Sequence, residues 1–215
     1  LKSLHILHSE AAVGWGGQEI RILQETRMLL ERGHRVTLVC QPGSPIAKRC
    51  QSIECSEFKF FPVAMPRPVS PKAFSALVRL IKNDPPDILH THSSIDSWLV
   101  SFIGKLLGIP IVRTRHVSIP VKNHFPNNWL YARFPKRILT SGEAIRNLLI
   151  GLNGVTAEQV VSIPAGVDMS RFDLDVSGEK IRAELGLQPH QPLIGKIGVI
   201  RGWKGHNYFL EAVPL

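Results

Sequence analysis

The chain has only three cysteines among its 215 residues, Cys40, Cys50 and Cys55, and no two of them form a C-x-x-C pair. The odd count and the spacing exclude a disulfide framework and a cysteine-based metal site, and fit buried or incidental thiols in a reducing cytosol. Long apolar runs are missing too. The nearest, Trp98 to Val112, is broken by Lys105 and Pro110, whereas a membrane span needs roughly 18 uninterrupted residues. No charged leader precedes the first apolar run, Leu4 to Leu7. The expectation is therefore a cytoplasmic chain without a secretory signal, and the opening leucine reads as a trimmed start. Acidic residues are scarce: 26 Lys and Arg stand against 17 Asp and Glu, a net charge of +9. None falls between Asp96 and Glu143, where Lys105, Arg113, Arg115, Lys122, Arg133, Lys136 and Arg137 occur with Phe125, Trp129, Tyr131 and Phe134 among them. Such a stretch fits a nucleic acid, an anionic lipid surface, a phosphorylated substrate or a plain solvated loop. Charge alone does not choose among them.

What is abundant is apolar residue, 44% of the chain, enough for one full domain and part of another. Strand-like runs are Leu4–Leu7, Arg35–Cys40, Phe58–Val63, Ile88–Thr91, Ile111–Thr114, Ile138–Thr140, Val160–Ile163 and Leu193–Val199. Helical patterns lie at Gly17–Arg32, Pro45–Gln51, Pro71–Asn83, Ile95–Leu107, Gly142–Leu149, Ser177–Leu185 and Asn207–Val213. Short strands alternating with helices predict an α/β fold: a Rossmann-like open parallel sheet with helices on both faces. Ligands in such sheets bind beyond the carboxyl ends of the strands. The loops to inspect are thus Ser9–Gly17, His90–Ser94, Arg115–Ile119, Ser141–Glu143 and Pro164–Asp168. Three segments follow: a domain over 1–168, a connection over 169–192, and over 193–215 the first strand and helix of a second, incomplete domain.

The glycine-rich loop Gly14-Trp15-Gly16-Gly17 between the first strand and first helix can bring backbone N–H groups close to a phosphate. It is not a dinucleotide fingerprint, because Glu19 stands where G-x-G-x-x-G needs its third glycine and Cys40-Gln41-Pro42 replaces the ribose-binding acid. No G-K-[ST] follows, which excludes a P-loop NTPase, and no nucleophile elbow occurs. His90 and His92, two apart in a strand and its exit, share one side. Two imidazoles there can serve a metal, but no third ligand is evident, so His90 reads as a packed strand histidine and His92 as a rim residue. His116, after Arg113-Thr114-Arg115, is placed to meet a sugar hydroxyl or a phosphate. Near the end, Arg201 and Lys204 flank glycines between a strand and a helix, an arrangement suited to clamping a diphosphate. Trp203 between them reads as a plug or a lid.

Six motifs in order resemble the retaining group 1 glycosyltransferases, family four, with the GT-B fold. They are Gly16-Gly17-Gln18-Glu19 (G-G-x-E), Asp87-Ile88-Leu89-His90-Thr91-His92, Thr114-Arg115-His116 (T-x-H), Ser141-Gly142-Glu143-Ala144, Ile163-Pro164-Ala165-Gly166-Val167-Asp168, and Arg201-Gly202-Trp203-Lys204-Gly205-His206. The resemblance spans the whole chain and implies an enzyme that moves a sugar from a nucleotide-sugar donor to a glycan or lipid-linked acceptor with retention. It implies no metal and no other cofactor. Gly16 and Gly17 would approach the donor diphosphate, His116 the donor sugar, and Arg201 and Lys204 the departing diphosphate. Glu19, His92, Arg115 and Ser141 are the acceptor-side candidates. Ala165 departs from the family's Asn, and Val199 stands where many members carry Arg. The E-x7-E segment of the second domain is expected beyond residue 215, so this stretch alone is not expected to turn over. Cell-surface polysaccharide or lipopolysaccharide assembly at an anionic membrane face fits the charge, and no nucleic-acid partner is expected. The competing readings are a UDP-sugar 2-epimerase of the same architecture and a non-catalytic carbohydrate- or nucleic-acid-binding domain.

Overall fold

Three helix starts are written in the local sequence. Ser44 and Ser70 accept hydrogen bonds from Ala47 N (3.3 Å) and Ala73 N (3.4 Å), with Pro45 and Pro71 at the first helical position. Ser93 and Asp96 form a capping box at the head of the fourth helix, and Gly108, at φ +72°, ends it. The computed structural model describes residues 2–173 and 175–213. The side chains of Arg171 and Trp203 lie outside that description, and with them the reading of Trp203 as plug or lid.

The chain runs β1 (His5–Glu10), α1 (Gly17–Glu31), β2 (Arg35–Cys40), α2 (Pro45–Cys50), β3 (Phe58–Pro62), α3 (Pro71–Asn83), β4 (Ile88–Thr91), α4 (Ser94–Leu107), β5 (Ile111–Arg115), α5 (Phe125–Asn128), β6 (Arg137–Thr140), α6 (Glu143–Ile150) and β7 (Val160–Ser162). A π turn, Trp129–Arg133, follows α5. The strands form one parallel sheet in the order β3-β2-β1-β4-β5-β6-β7. The order reverses between β1 and β4, and a crevice opens at the carboxyl ends of such a pair.

Two apolar layers hold the sheet. On one face Leu7, Val39, Leu89, Ile111 and Ile138 meet Leu77 and Ile81 of α3 and Val100 and Ile103 of α4. On the other, Leu38 and Cys40 pack with Ile22 and Leu23 of α1 and Ile46, Ala47 and Cys50 of α2. Burying each such aliphatic side chain contributes about 1.5–3 kcal/mol before chain entropy is charged. Burial also pushes the Cys40 thiol up to about 11 and the Cys50 thiol up to about 12.

The chain divides into two units, Leu1–Gly166 and Val167–Leu215. The second carries α7 (Glu179–Glu184), a 3-10 turn at Gly202–Lys204 and α8 (His206–Glu211). The strand expected over 193–199 is not formed. Ile194, Ile197 and Val199 are exposed, and no strand among the described residues of this unit offers its backbone a ladder.

Candidate functional site

Two copies of one tripeptide lie side by side at the strand-order reversal. Ile6-Leu7-His8 of β1 and Ile88-Leu89-His90 of β4 pair residue for residue, so His8 and His90 are direct neighbours. In a parallel pair, residues in register point to the same face, and His92 follows two residues later on the same side. The rings pack closely, with centroids 4.7 Å apart for His8 and His90 and 4.2 Å for His90 and His92.

Hydrogen bonds extend this group to the rim. His8 Nδ1 lies 2.9 Å from His92 Nε2, and His92 Nδ1 lies 3.1 Å from His116 Nε2. His90 Nε2 is 2.7 Å from Thr114 Oγ1. Burial holds His90 and His92 well below the ordinary imidazole value and brings His8 down to about 4. His116 is also lowered to about 4, by burial first and then by the Arg21 and Arg115 charges. All four rings are thus neutral near pH 7, each with one N–H and one lone pair to offer.

Helix α1 contributes the charged partners. Arg21 donates from Nε to Glu25 Oε1 (2.7 Å) and from Nη1 to the Ile163 carbonyl (2.7 Å). Ligand atoms of His8, Glu25, His90 and His92 all lie within 4.8 Å of one another. This corrects the expectation that no metal has a place here. His90 and His92 do have further ligand-type neighbours, supplied by a strand and a helix remote in sequence. His8 Nε2 is moreover buried without a hydrogen-bond partner.

The glycine loop is tied down at its flanks. Ala12 N donates to Glu10 Oε1 (2.7 Å), and Gln18 Nε2 donates to Glu10 Oε2. Burial, then the nearby Asp96 charge, raises the Glu10 carboxyl to about 8. Arg49 of α2 lies 3.8 Å over the Trp15 ring, a cation–π contact. A Cβ on Gly14 or Gly17 would meet no atom within 4 Å, and one on Gly16 only Glu19 Oε2 at 3.6 Å. Packing inside the chain therefore does not demand these glycines. Glu19 itself is buried.

Beneath the rim, Asp96 accepts from Ser93 N (2.9 Å), His92 N (3.0 Å) and Ser9 Oγ (2.8 Å), joining β1, the end of β4 and α4. Arg113, the second basic residue of the acid-free stretch, is buried with its guanidinium 4.3 Å over Tyr131. It is therefore a core residue and not part of a charged surface. Arg115 donates to the carbonyls of Val117 (3.1 Å) and Ile119 (2.8 Å), shaping its own loop. Ser141 Oγ donates to the His116 carbonyl at 3.4 Å.

Gly16, Gly17, Glu19, His92, Arg115, His116 and Ser141 accordingly all belong to the first unit. They sit at or after the carboxyl ends of β1, β4, β5 and β6. Arg201 and Lys204 belong to the second unit, both exposed around the 3-10 turn, where Lys196 Nζ holds the Gly205 carbonyl at 2.8 Å. Sequence reasoning missed His8, Arg21 and Glu25. The repeated I-L-H tripeptide was the available signal for His8, whereas nothing in the helical pattern marked the other two.

Residues 15–171 match the family described as Glycosyltransferase Family 4. The chain is 26% identical over 230 aligned residues to an Escherichia coli UDP-Gal:alpha-D-GlcNAc-diphosphoundecaprenol alpha-1,3-galactosyltransferase, covering 99% of this chain and 59% of that protein. It is 28% identical to the Arabidopsis thaliana sulfoquinovosyl transferase SQD2, over 76% of this chain and 34% of the relative. Among solved structures, a glycosyltransferase from Rickettsia africae superposes with a TM-score of 0.84 at 19% identity, covering 99% of this chain and 57% of that one. Anabaena HepE in complex with UDP-glucose superposes with a TM-score of 0.66 at 15% identity, covering 85% and 50%. The chain thus spans less than two thirds of each of these proteins, and its sheet is the N-terminal Rossmann-like half of a GT-B fold. With a match over most of its length, the chain belongs to Glycosyltransferase Family 4.

Proposed function

We propose that the whole protein transfers a sugar from a nucleotide-sugar donor to a lipid-linked glycan acceptor with retention at the anomeric carbon, in cell-surface polysaccharide or lipopolysaccharide assembly. The observation that carries this reading is the gathering of the first unit's family motifs at the carboxyl ends of the strands of one sheet. His116, a neutral imidazole at the end of β5, is held from behind by His92 at 3.1 Å. A neutral ring so fixed can donate or accept one hydrogen bond with a sugar hydroxyl without bringing a charge to it. Gly16 and Gly17, where no packing atom blocks a close approach, suit a donor diphosphate. Arg115 and Ser141 are the acceptor-side groups in this reading, while His92 and Glu19 are buried and act only through their neighbours. Arg201 and Lys204 neutralise the charge that builds on the leaving diphosphate, the role in which fixed cations contribute most. In the transfer, the bond from the anomeric carbon to the diphosphate oxygen breaks and one to an acceptor hydroxyl forms on the same face. The hydroxyl proton leaves on the diphosphate.

UDP-sugars are the first donor class to try, because HepE was crystallised with UDP-glucose and the E. coli relative is named for UDP-Gal. A lipid diphosphate acceptor is supported by the same relative's name and by the basic stretch of this chain. The full-length protein, given a panel of nucleotide sugars and a polyprenyl-diphosphate glycan, is expected to release nucleoside diphosphate only when acceptor is present. Proton NMR of the product should show the donor's anomeric configuration kept. Inversion would refute the stereochemical claim, and donor turnover without acceptor would favour an epimerase.

A further inference from the structure

The imidazole group under the rim has a composition that the transfer reading does not require. We propose that His8, His90, His92 and Glu25 form a binding site for one divalent transition-metal ion of the zinc class. The proposal stands independently of the glycosyl-transfer reading.

Three observations carry it. Three nitrogens and one carboxylate are a common donor set for zinc, and here all four donors lie within 4.8 Å of one another. Tetrahedral bonds of 2.0–2.1 Å place donors about 3.3 Å apart, so side-chain adjustment of about an ångström closes the set. Second, His8 Nε2 is fully buried with no partner, a costly state for a polar atom that a bound ion relieves. Third, the outer nitrogens of two rings are already engaged: His90 Nε2 with Thr114 Oγ1 at 2.7 Å, and His92 Nδ1 with His116 Nε2 at 3.1 Å. Such outer partners fix ring orientation in metal-bound histidines. They leave His90 Nδ1 and His92 Nε2 for the ion, the latter giving up its contact with His8 Nδ1. Glu25 is only half-buried and gives the site an edge open to solvent.

The opposing charge is Arg21, whose Nε holds Glu25 Oε1 at 2.7 Å. It competes with a cation both by repulsion and by occupying the carboxylate. This predicts two substitutions on the same helix with opposite effects, which a purely structural role for the cluster would not give.

The test is zinc and cobalt(II) titration of the full chain, after chelator treatment and dialysis. Metal content is read by mass spectrometry, cobalt coordination by visible absorption, and folding by the thermal midpoint. The wild type is expected to retain one zinc per chain, to show a tetrahedral cobalt band and to melt higher with zinc. Glu25→Gln should weaken binding at least tenfold and Arg21→Gln should strengthen it, with the metal-free midpoint of Glu25→Gln near that of the wild type. A wild-type chain that retains no zinc and shows no cobalt band overturns the proposal, leaving a stack of neutral hydrogen-bonded imidazoles. Unchanged affinity in Glu25→Gln, or weaker binding in Arg21→Gln, overturns it equally.

Discussion

A single carboxylate at the far end of the sheet shows how charge is used where no ligand is involved. Asp84, which caps α3, accepts Lys59 Nζ at 2.6 Å and Arg35 Nη2 at 2.7 and 2.8 Å. These bonds, Lys59 first and then Arg35, hold its carboxyl at about 2 instead of 3.8. Because the folded value lies below the unfolded one, the contribution to stability is complete above about pH 4. It is lost as pH falls through about 2. The three groups are part-exposed, so the gain is screened and stays below about 1 kcal/mol. Asp84→Asn is expected to lower the thermal midpoint slightly at pH 7, less so at high salt, and to melt like the wild type near pH 2. An equal loss at both pH values would show that charge is not the cause. His8 and Glu10 teach a different lesson at this scale. A polar residue at the end of an apolar run looks like loop in sequence, yet both lie inside β1 and are fully buried. They are buried because β2 and β4 flank β1 on both sides, which is a non-local fact.

At the level of elements, α4 depends on the absence of one side chain. A Cβ on Gly104 would sit 2.8 Å from Leu89 Cδ1 and 2.9 Å from Ile111 Cγ1, so the helix lies directly on β4 and β5 because that position is glycine. Gly104→Ala is expected to destabilise by about 1–3 kcal/mol, the usual cost of overpacking a core. A thermal or urea midpoint at or above the wild type would contradict this close approach. All seven strands of the sheet were legible from apolar runs, within one to three residues at either end, because a parallel strand buried on both faces reads as a continuous apolar segment. The segment Phe125–Arg133 was not read as helical. Pro126 and the asparagines weaken its pattern, and Leu130 and Tyr131 are drawn inward by tertiary packing. Leu193–Val199 erred the other way, because apolar character marks a strand only where a neighbour exists to pair with it. The rim positions of the site followed from the motifs. The ligand-type cluster did not, since it needs the register of β1 against β4 and one turn of α1.

For the molecule as a whole, only part of the acid-free stretch reaches the surface. Arg113 and Tyr131 turn inward, while Lys105, Lys122, Arg133, Lys136 and Arg137 are exposed together with Ile119, Phe125 and Trp129. Among the described residues no helix is long and apolar enough to cross a membrane. Cations interleaved with exposed aromatic and aliphatic side chains suit the surface of an anionic bilayer, at about 1 kcal/mol per cation near the headgroups. The protein is expected to sediment with vesicles containing phosphatidylglycerol and to be released by salt. Binding indifferent to both lipid charge and ionic strength would count against a membrane-borne acceptor.

In the proposed transfer the rim of this sheet handles the donor sugar through His116, and the direct measurement is steady-state transfer by the full-length protein with His116→Ala against wild type. A drop in kcat of about 10²–10³-fold with an unchanged thermal midpoint is the predicted result, the scale of losing one aligned hydrogen-bonding group at a reacting centre. Transfer at the wild-type rate would contradict the assignment.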